Sequence, residues 1–271
     1  RGDAGPVVEI ADPRTLWRSL PADSAARFHK PDTYSDHLIH AEARLMAASI
    51  RGRAHAHRGL HRDDEARIAR VGAWDLLCVA DGAGSCRYAR RGAELAAGEA
   101  VRSLGEALNS DAGATLERAA IAYFADPHAP ASRRALQASY QHTVVKAVFD
   151  AIRAIQREIA RDPATLQLKD FSTTLLLAAR RTLDDGEQWL ISFAIGDGAI
   201  VLYTAPDRVE LLNRPDSGDY AGQTRFLDPA LLESGEIYQR VRIHKTPRMS
   251  ALILATDGVT DPCFSSDRQL T

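Results

Sequence analysis

The chain has 271 residues, 45% of them hydrophobic and 26% charged, with a formal net charge of -2 at pH 7. That balance is ordinary for a globular domain and excludes a strongly basic nucleic-acid binder, while no apolar run reaches the ~18 residues of a membrane-spanning helix. Cys78, Cys86 and Cys263 form no Cys-x-x-Cys motif and cannot pair completely, which points to a reducing, cytoplasmic setting.

Residues 1–43 are rich in Pro, Asp, Ala and His and are expected to form an arm packed on a main domain covering 44–271. Short strands are expected from Leu45 to Arg51, from Ala66 to Val71 and from Trp74 to Ala80. Ala93, Ala97, Val101, Leu104 and Leu108 recur at intervals of three and four and predict a helix from Ala89 to Leu108. A second helical piece is expected over 113–125. Beyond Pro130, the residues Leu136, Tyr140, Val144, Val148, Ile152, Ile155 and Ile159 predict one continuous amphipathic helix, with Arg133, Arg153 and Arg157 facing outward.

After Pro163 the period changes to two. Ser172 to Ala179 is strand-like, and Trp189, Ile191, Phe193 and Ile195 alternate as in a half-buried strand. Gly196-Asp197-Gly198 reads as a hairpin turn leading into a returning strand from Ala199 to Tyr203, with Asp197 a structural turn residue. Further strands are expected from Val209 to Leu212 and from Leu252 to Ala255. Strands, then long helices, then more strands is an α+β order, with helices packed on antiparallel sheets.

Two apolar strands run straight into Asp-Gly: Leu76 to Ala80 before Asp81-Gly82, and Leu252 to Thr256 before Asp257-Gly258. A carboxylate at the end of a buried strand must be paired, hydrogen-bonded or bound to a cation. Asp63-Asp64 is a third acidic feature. Asp81, Asp257 and Asp63 with the Gly82 carbonyl would make an oxygen-only ligand set, suited to magnesium or manganese rather than zinc. The plainer reading is that each Asp-Gly is a turn and Asp63-Asp64 a solvated pair. His55, His57 and His61 lack the further ligands a zinc site needs, and Gly82-Ala83-Gly84 lacks the Lys-Ser/Thr of a phosphate loop.

Taken together and in order, these segments resemble the metal-dependent protein phosphatases of the 2C type, in particular a bacterial branch. The matching stretches are Gly59 to Asp64 with His55 upstream, Val79 to Gly84, Phe171 to Leu175, Ile195 to Gly198, Asp216 to Leu227 and Leu254 to Asp261. The resemblance implies an antiparallel β-sandwich flanked by α-helices, with two Mn2+ or Mg2+ ions, and a looser third near Asp170, at one end of the sheets. It implies Asp81, Gly82, Asp257 and Asp63 as metal ligands, with Asp64 behind them. Asp81, Asp257 and Asp64 are then the catalytic acids. The implied reaction is hydrolysis of phosphoserine and phosphothreonine in a protein substrate, a kinase target, by a metal-activated water.

The sequence departs from that pattern in several places. Asp63 stands where Glu is common, and Ala83 replaces a His found in many eukaryotic members. The usual phosphate-binding Arg falls on Gly59, leaving Arg58 or Arg62 to stand in. The family's last metal-ligand Asp, on a final strand, is not reached before Thr271, and Asp267 comes too early to replace it. These departures support an alternative, a weakly active or inactive phosphatase-like module that binds phosphoproteins.

Overall fold

The computed structural model describes residues 16–216, 225–247 and 249–263. A hairpin of β1 (Thr33–Ile39) and β2 (Arg44–Ile50) leads through a short helix α1 (Arg53–Arg58) into β3 (Glu65–Val71) and β4 (Trp74–Ala80). Four helices follow: α2 (Ala89–Leu108), α3 (Asp111–Ala125), α4 (Pro130–Tyr140) and α5 (Val144–Ala160). The chain returns through β5 (Leu175–Thr182), β6 (Gln188–Ile195), β7 (Ala199–Thr204) and β8 (Arg208–Leu211). Two short turns of helix, α6 (Ala230–Glu233) and α7 (Ile237–Arg240), precede β9 (Val241–Thr246), β10 (Ala251–Ala255) and α8 (Asp257–Cys263).

Among the described residues the strands form a five-stranded antiparallel sheet in the order β3-β4-β5-β6-β9, a three-stranded one in the order β10-β7-β8, and the β1-β2 hairpin. The period-2 alternation of β5 and β6 sends side chains into two separate cores. Leu175, Leu177, Ile191 and Phe193 pack with Leu104, Val148 and Ile152 of the helices. Leu176, Leu190 and Ala194 face the other way, against Ile200 and Leu202 of the small sheet. The result is a layered α+β sandwich, as expected. β6 is buried on both faces rather than half-buried, because each face of its sheet has a partner layer.

Two local expectations fail for identifiable reasons. The apolar stripe from Leu136 to Ile155 is buried as predicted, but the helix carrying it breaks at Thr143. There the Thr143 hydroxyl donates to the Ser139 carbonyl at 3.0 Å, and the backbone leaves the helical region with φ -123 and ψ -95. Gly196-Asp197-Gly198 is not a hairpin turn, since β6 and β7 lie in different sheets. It is the point where the chain steps from one sheet to the other. Gly196 has φ +116, and a Cβ there would lie 2.5 Å from Thr174 Cγ2.

Residues 16–43 pack on the body, carry strand β1 and also bury a charge. Phe28 meets Tyr88 and Phe171 edge-on, Arg90 donates to the Phe28 and Arg27 carbonyls, and Lys30 is buried. Trp17 stacks on His57. Residues 217–224 of the expected Asp216 to Leu227 match, and the C-terminal region holding Asp267, lie outside the described residues.

Helix α2 lies so close to the 3-10 turn Leu168–Phe171 that a Cβ on Gly92 would fall 2.0 Å from the Phe171 carbonyl oxygen. Backbone cannot yield there as a side chain could. Gly92→Ala is therefore expected to destabilise the fold by about 1–3 kcal/mol, measured as a lower midpoint in thermal or denaturant unfolding.

Candidate metal centre

Strand register decides which acids meet. The β3–β4 ladder ends at the pair Glu65–Ala80, so one step further along the two chains Asp64 lies opposite Asp81. On the other side of Asp81 the β4–β5 pairing carries on to Thr174. The Asp81 N–H donates to Thr174 Oγ1, and the Asp81 carbonyl accepts from the Thr174 N–H and the Thr173 hydroxyl, each at 2.9 Å. Thr174 in turn packs against Gly196, where the chain crosses into the second sheet. In that sheet Ala199 pairs with Ala255, and two residues outward on each chain come Asp197 and Asp257.

The two sheets thus deliver acids to one place. Carboxylate oxygens of Asp81, Asp197 and Asp257 lie within 4.8 Å of one another. Asp64 joins their edge, its Oδ2 accepting from Thr256 Oγ1 at 3.0 Å. All four are half-buried, at the floor of a groove of about 960 Å³ that Tyr34, Ile50 and His55 also line. Gly82 is required by close packing, since a Cβ would fall 2.7 Å from the Ala89 backbone carbon.

Gathering these charges has an electrostatic consequence. Burial first, then Asp64 and Asp257, push the Asp81 carboxyl up to about 10 from its ordinary 3.8. Asp257 is also raised, chiefly by burial, with Asp197, Asp64 and Asp261 adding to it and its hydrogen bond with Asp81 opposing. Like charges at this spacing favour either a held proton or a bound cation. The donor set is oxygen only, which fits a hard divalent cation and disfavours zinc.

Residue 63 is turned elsewhere. Asp63 Oδ2 lies 3.8 Å from His55 Nδ1, whose closer partner is the His61 carbonyl at 2.7 Å. Burial raises the Asp63 carboxyl, with His55, Arg90 and Lys30 pulling it back down. The backbone beneath is gripped by cations. Lys30 Nζ and Arg62 Nη1 each donate to the Asp64 carbonyl at 2.6 Å, and Lys30 also pairs with buried Glu65 at 2.7 Å. Burial lowers the Lys30 ammonium below its ordinary value, and Glu65 opposes that shift.

The sequence profile described as Protein phosphatase 2C matches residues 51–270. The chain belongs to the protein phosphatase 2C family. No curated protein matches it significantly. Among solved structures, a Stage II Sporulation E family protein from Thermanaerovibrio acidaminovorans is 16% identical, with 70% of this chain and 74% of that one aligned and a TM-score of 0.38. A bacterial serine phosphatase is 12% identical over 73% of each chain, with a TM-score of 0.42. A PPM Ser-Thr phosphatase from Mycobacterium smegmatis, in complex with cacodylate, is 18% identical over 82% of this chain and 70% of that one, with a TM-score of 0.24. The assignment rests on the sequence match.

Membership of the 2C family supports a phosphatase and implies dependence on a divalent metal. The acids fit that requirement, though not in the pattern the sequence suggested. Asp64, rather than Asp63, is the member of the acidic pair brought beside Asp81. Asp197, expected to be only a turn residue, stands in the cluster. Arg58 is exposed, donates to the Ala54 carbonyl at 3.4 Å, and among the described residues is not one that lines the groove. Arg62 does line the groove but is buried, with its Nε on the Pro31 carbonyl at 3.2 Å. Asp170 sits in the 3-10 turn, its carbonyl accepting from the Tyr88 N–H, and lies outside the cluster.

Counting outward from the strand pairs would have found both Asp64 and Asp197. Sequence alone gives no pairing register, and an Asp between two glycines carries a stronger turn signal than a ligand signal.

The Asp81 shift carries a sign. The unfolded carboxyl releases its proton near 3.8 and the folded one near 10, so between those values the folded state holds more protons. Stability of the metal-free protein is therefore expected to fall as pH rises through this window. Thermal unfolding in chelator between pH 5 and 9 checks this, and Asp81→Asn should flatten the dependence.

Proposed function

We propose that the protein is a metal-dependent serine/threonine phosphatase acting on phosphoproteins. The observation that supports this best is the convergence of Asp81, Asp197 and Asp257 from two sheets, with Asp64 at their edge. In this reading Asp81, Asp257, Asp64 and Asp197 hold two Mn2+ or Mg2+ ions, with the Gly82 carbonyl as a further donor. When bound, such ions supply an activated water and neutralise charge on the phosphoryl oxygens.

The protein's own residues have three tasks here. The Thr173 and Thr174 bonds fix the Asp81 backbone at the end of β4. Lys30 and Arg62 hold the Asp64 carbonyl, so that its carboxylate faces Asp81 and not solvent. His55, held by the His61 carbonyl, walls the groove beside Asp63. Half-buried acids on a groove floor suit a phosphate carried on a short side chain, within reach of the polypeptide backbone, and this favours phosphoserine and phosphothreonine over phosphotyrosine. In the same reading the protein works in the cytoplasm on kinase targets.

A second reading is a phosphatase-like module that binds phosphoproteins with little turnover. It is favoured by the fate of the two candidate arginines, Arg58 outside the groove and Arg62 committed to backbone carbonyls. Steady-state hydrolysis of p-nitrophenyl phosphate with and without Mn2+ separates the two. The enzyme reading expects metal-dependent turnover, and the module reading expects phosphopeptide binding without it.

Asp81→Asn and Asp197→Asn should each lower kcat/KM by roughly 100-fold or more, the scale for removing one preorganised electrostatic group. Unchanged rates would refute the assignment. Arg58→Ala should alter kcat/KM by no more than about twofold, as expected for an exposed side chain away from the site.

A further inference from the structure

Asp197 sits between strands rather than at the end of a paired one. The last paired residue of β6 is Ile195 and the first of β7 is Ala199, so the three residues between them lie outside both named strands. Two of the three, one on either side of Asp197, are glycines, the least restrained of residues. Yet Asp197 must hold its carboxylate against two others that repel it.

The restraint comes from the segment that follows β8. Asn213 Oδ1 accepts from the Ile200 N–H at 2.7 Å, and Asn213 Nδ2 donates to the Gly198 carbonyl at 2.9 Å. Asp216 takes the other side of the turn. Its Oδ2 accepts from the Gly196 N–H at 2.8 Å, and its own N–H donates to the Gly196 carbonyl at 2.9 Å. Both glycines beside Asp197 are therefore splinted by side chains from residues 213–216.

Asp216 is itself fixed by Arg240 at the end of α7. The guanidinium reaches it through both terminal nitrogens, at 2.8 and 2.9 Å, and Nη1 also donates to the Ala194 carbonyl at 3.2 Å. A bidentate fork of this type fixes orientation as well as position. It also neutralises Asp216, which would otherwise add another negative charge beside an acidic cluster.

We propose that Arg240, acting through Asp216, is the positioning residue that holds Asp197 in the metal centre. The inference rests on the metal-dependent reading above. It assigns Arg240 and Asp216 to cation affinity rather than to contact with substrate. Glu236 also accepts from Arg240, from Nη2 at 2.7 Å and from Nε at 3.2 Å, but its other partner is Arg225 rather than the turn, and so it serves as a control.

The test is calorimetric titration of the protein with MnCl2, alongside thermal unfolding of the metal-free form. Arg240→Gln and Asp216→Asn should each weaken Mn2+ binding by about tenfold, the scale seen when residues supporting metal ligands are removed. The double variant should be no weaker than either single one, because both act through one contact. Glu236→Gln should bind as wild type, and Arg240→Lys should recover only part of the loss. Should Arg240→Gln fail to fold, the isosteric Asp216→Asn gives the same reading.

Mn2+ affinity within twofold of wild type in Asp216→Asn overturns the proposal. So does an affinity loss matched by Glu236→Gln, or one that follows the melting temperature of the metal-free variants, which would mark a general structural effect. A wild-type protein that binds no Mn2+ overturns instead the reading on which the proposal stands.

Discussion

Carboxylate repulsion is the constraint around which this molecule is organised. Asp81, Asp197 and Asp257 bring carboxylate oxygens within 4.8 Å of one another with Asp64 at their edge, and burial first, then Asp64 and Asp257, displaces Asp81 from its ordinary ionisation. No local sequence preference brings them there. Each lies just past the end of a strand, and ladder pairing fixes strand ends far more tightly than loops can be fixed. The five-stranded sheet supplies Asp64 and Asp81, while the small sheet supplies Asp257 and takes in Asp197 as the chain crosses over. Two hydrophobic cores, one on either face of the large sheet, provide the packing free energy that offsets this concentration of charge.

Where periodicity speaks of burial, the sequence was readable. Trp74–Ala80 and Ala89–Leu108 have the bounds that their apolar spacing indicates, and the α+β layering follows from element order. The break between α4 and α5 was not readable, because the apolar stripe continues unbroken across it while a threonine hydroxyl redirects the backbone. Burial of β6 on both faces was hidden for a similar reason. Alternation in that strand is between two kinds of apolar neighbour, helices on one side and β7 on the other.

The site was partly legible. Asp-Gly after an apolar strand marked residues 81 and 257, since a charge there needs a partner. The choice between Asp63 and Asp64 depends on pairing parity, which alternates with every residue and leaves no trace in composition. Asp197 was concealed by its own glycines. They are needed because the turn crosses between sheets against Thr174 and Ala255, where no Cβ fits. A pattern that signals a loop also signals close approach, and only contacts distinguish the two.

Lys30 comes from the lead-in before the domain, yet its ammonium closes on the Asp64 carbonyl and on Glu65 deep inside. Glu65 would keep Arg67 and Arg62 without it, but the peptide carrying Asp64 would lose one of its two cationic anchors. A polypeptide started at position 44 would therefore assemble its sheets around a slackened acid. Through this one ammonium, the residues ahead of position 44 share in holding the acidic cluster, so release of Lys30 would loosen the peptide that carries Asp64.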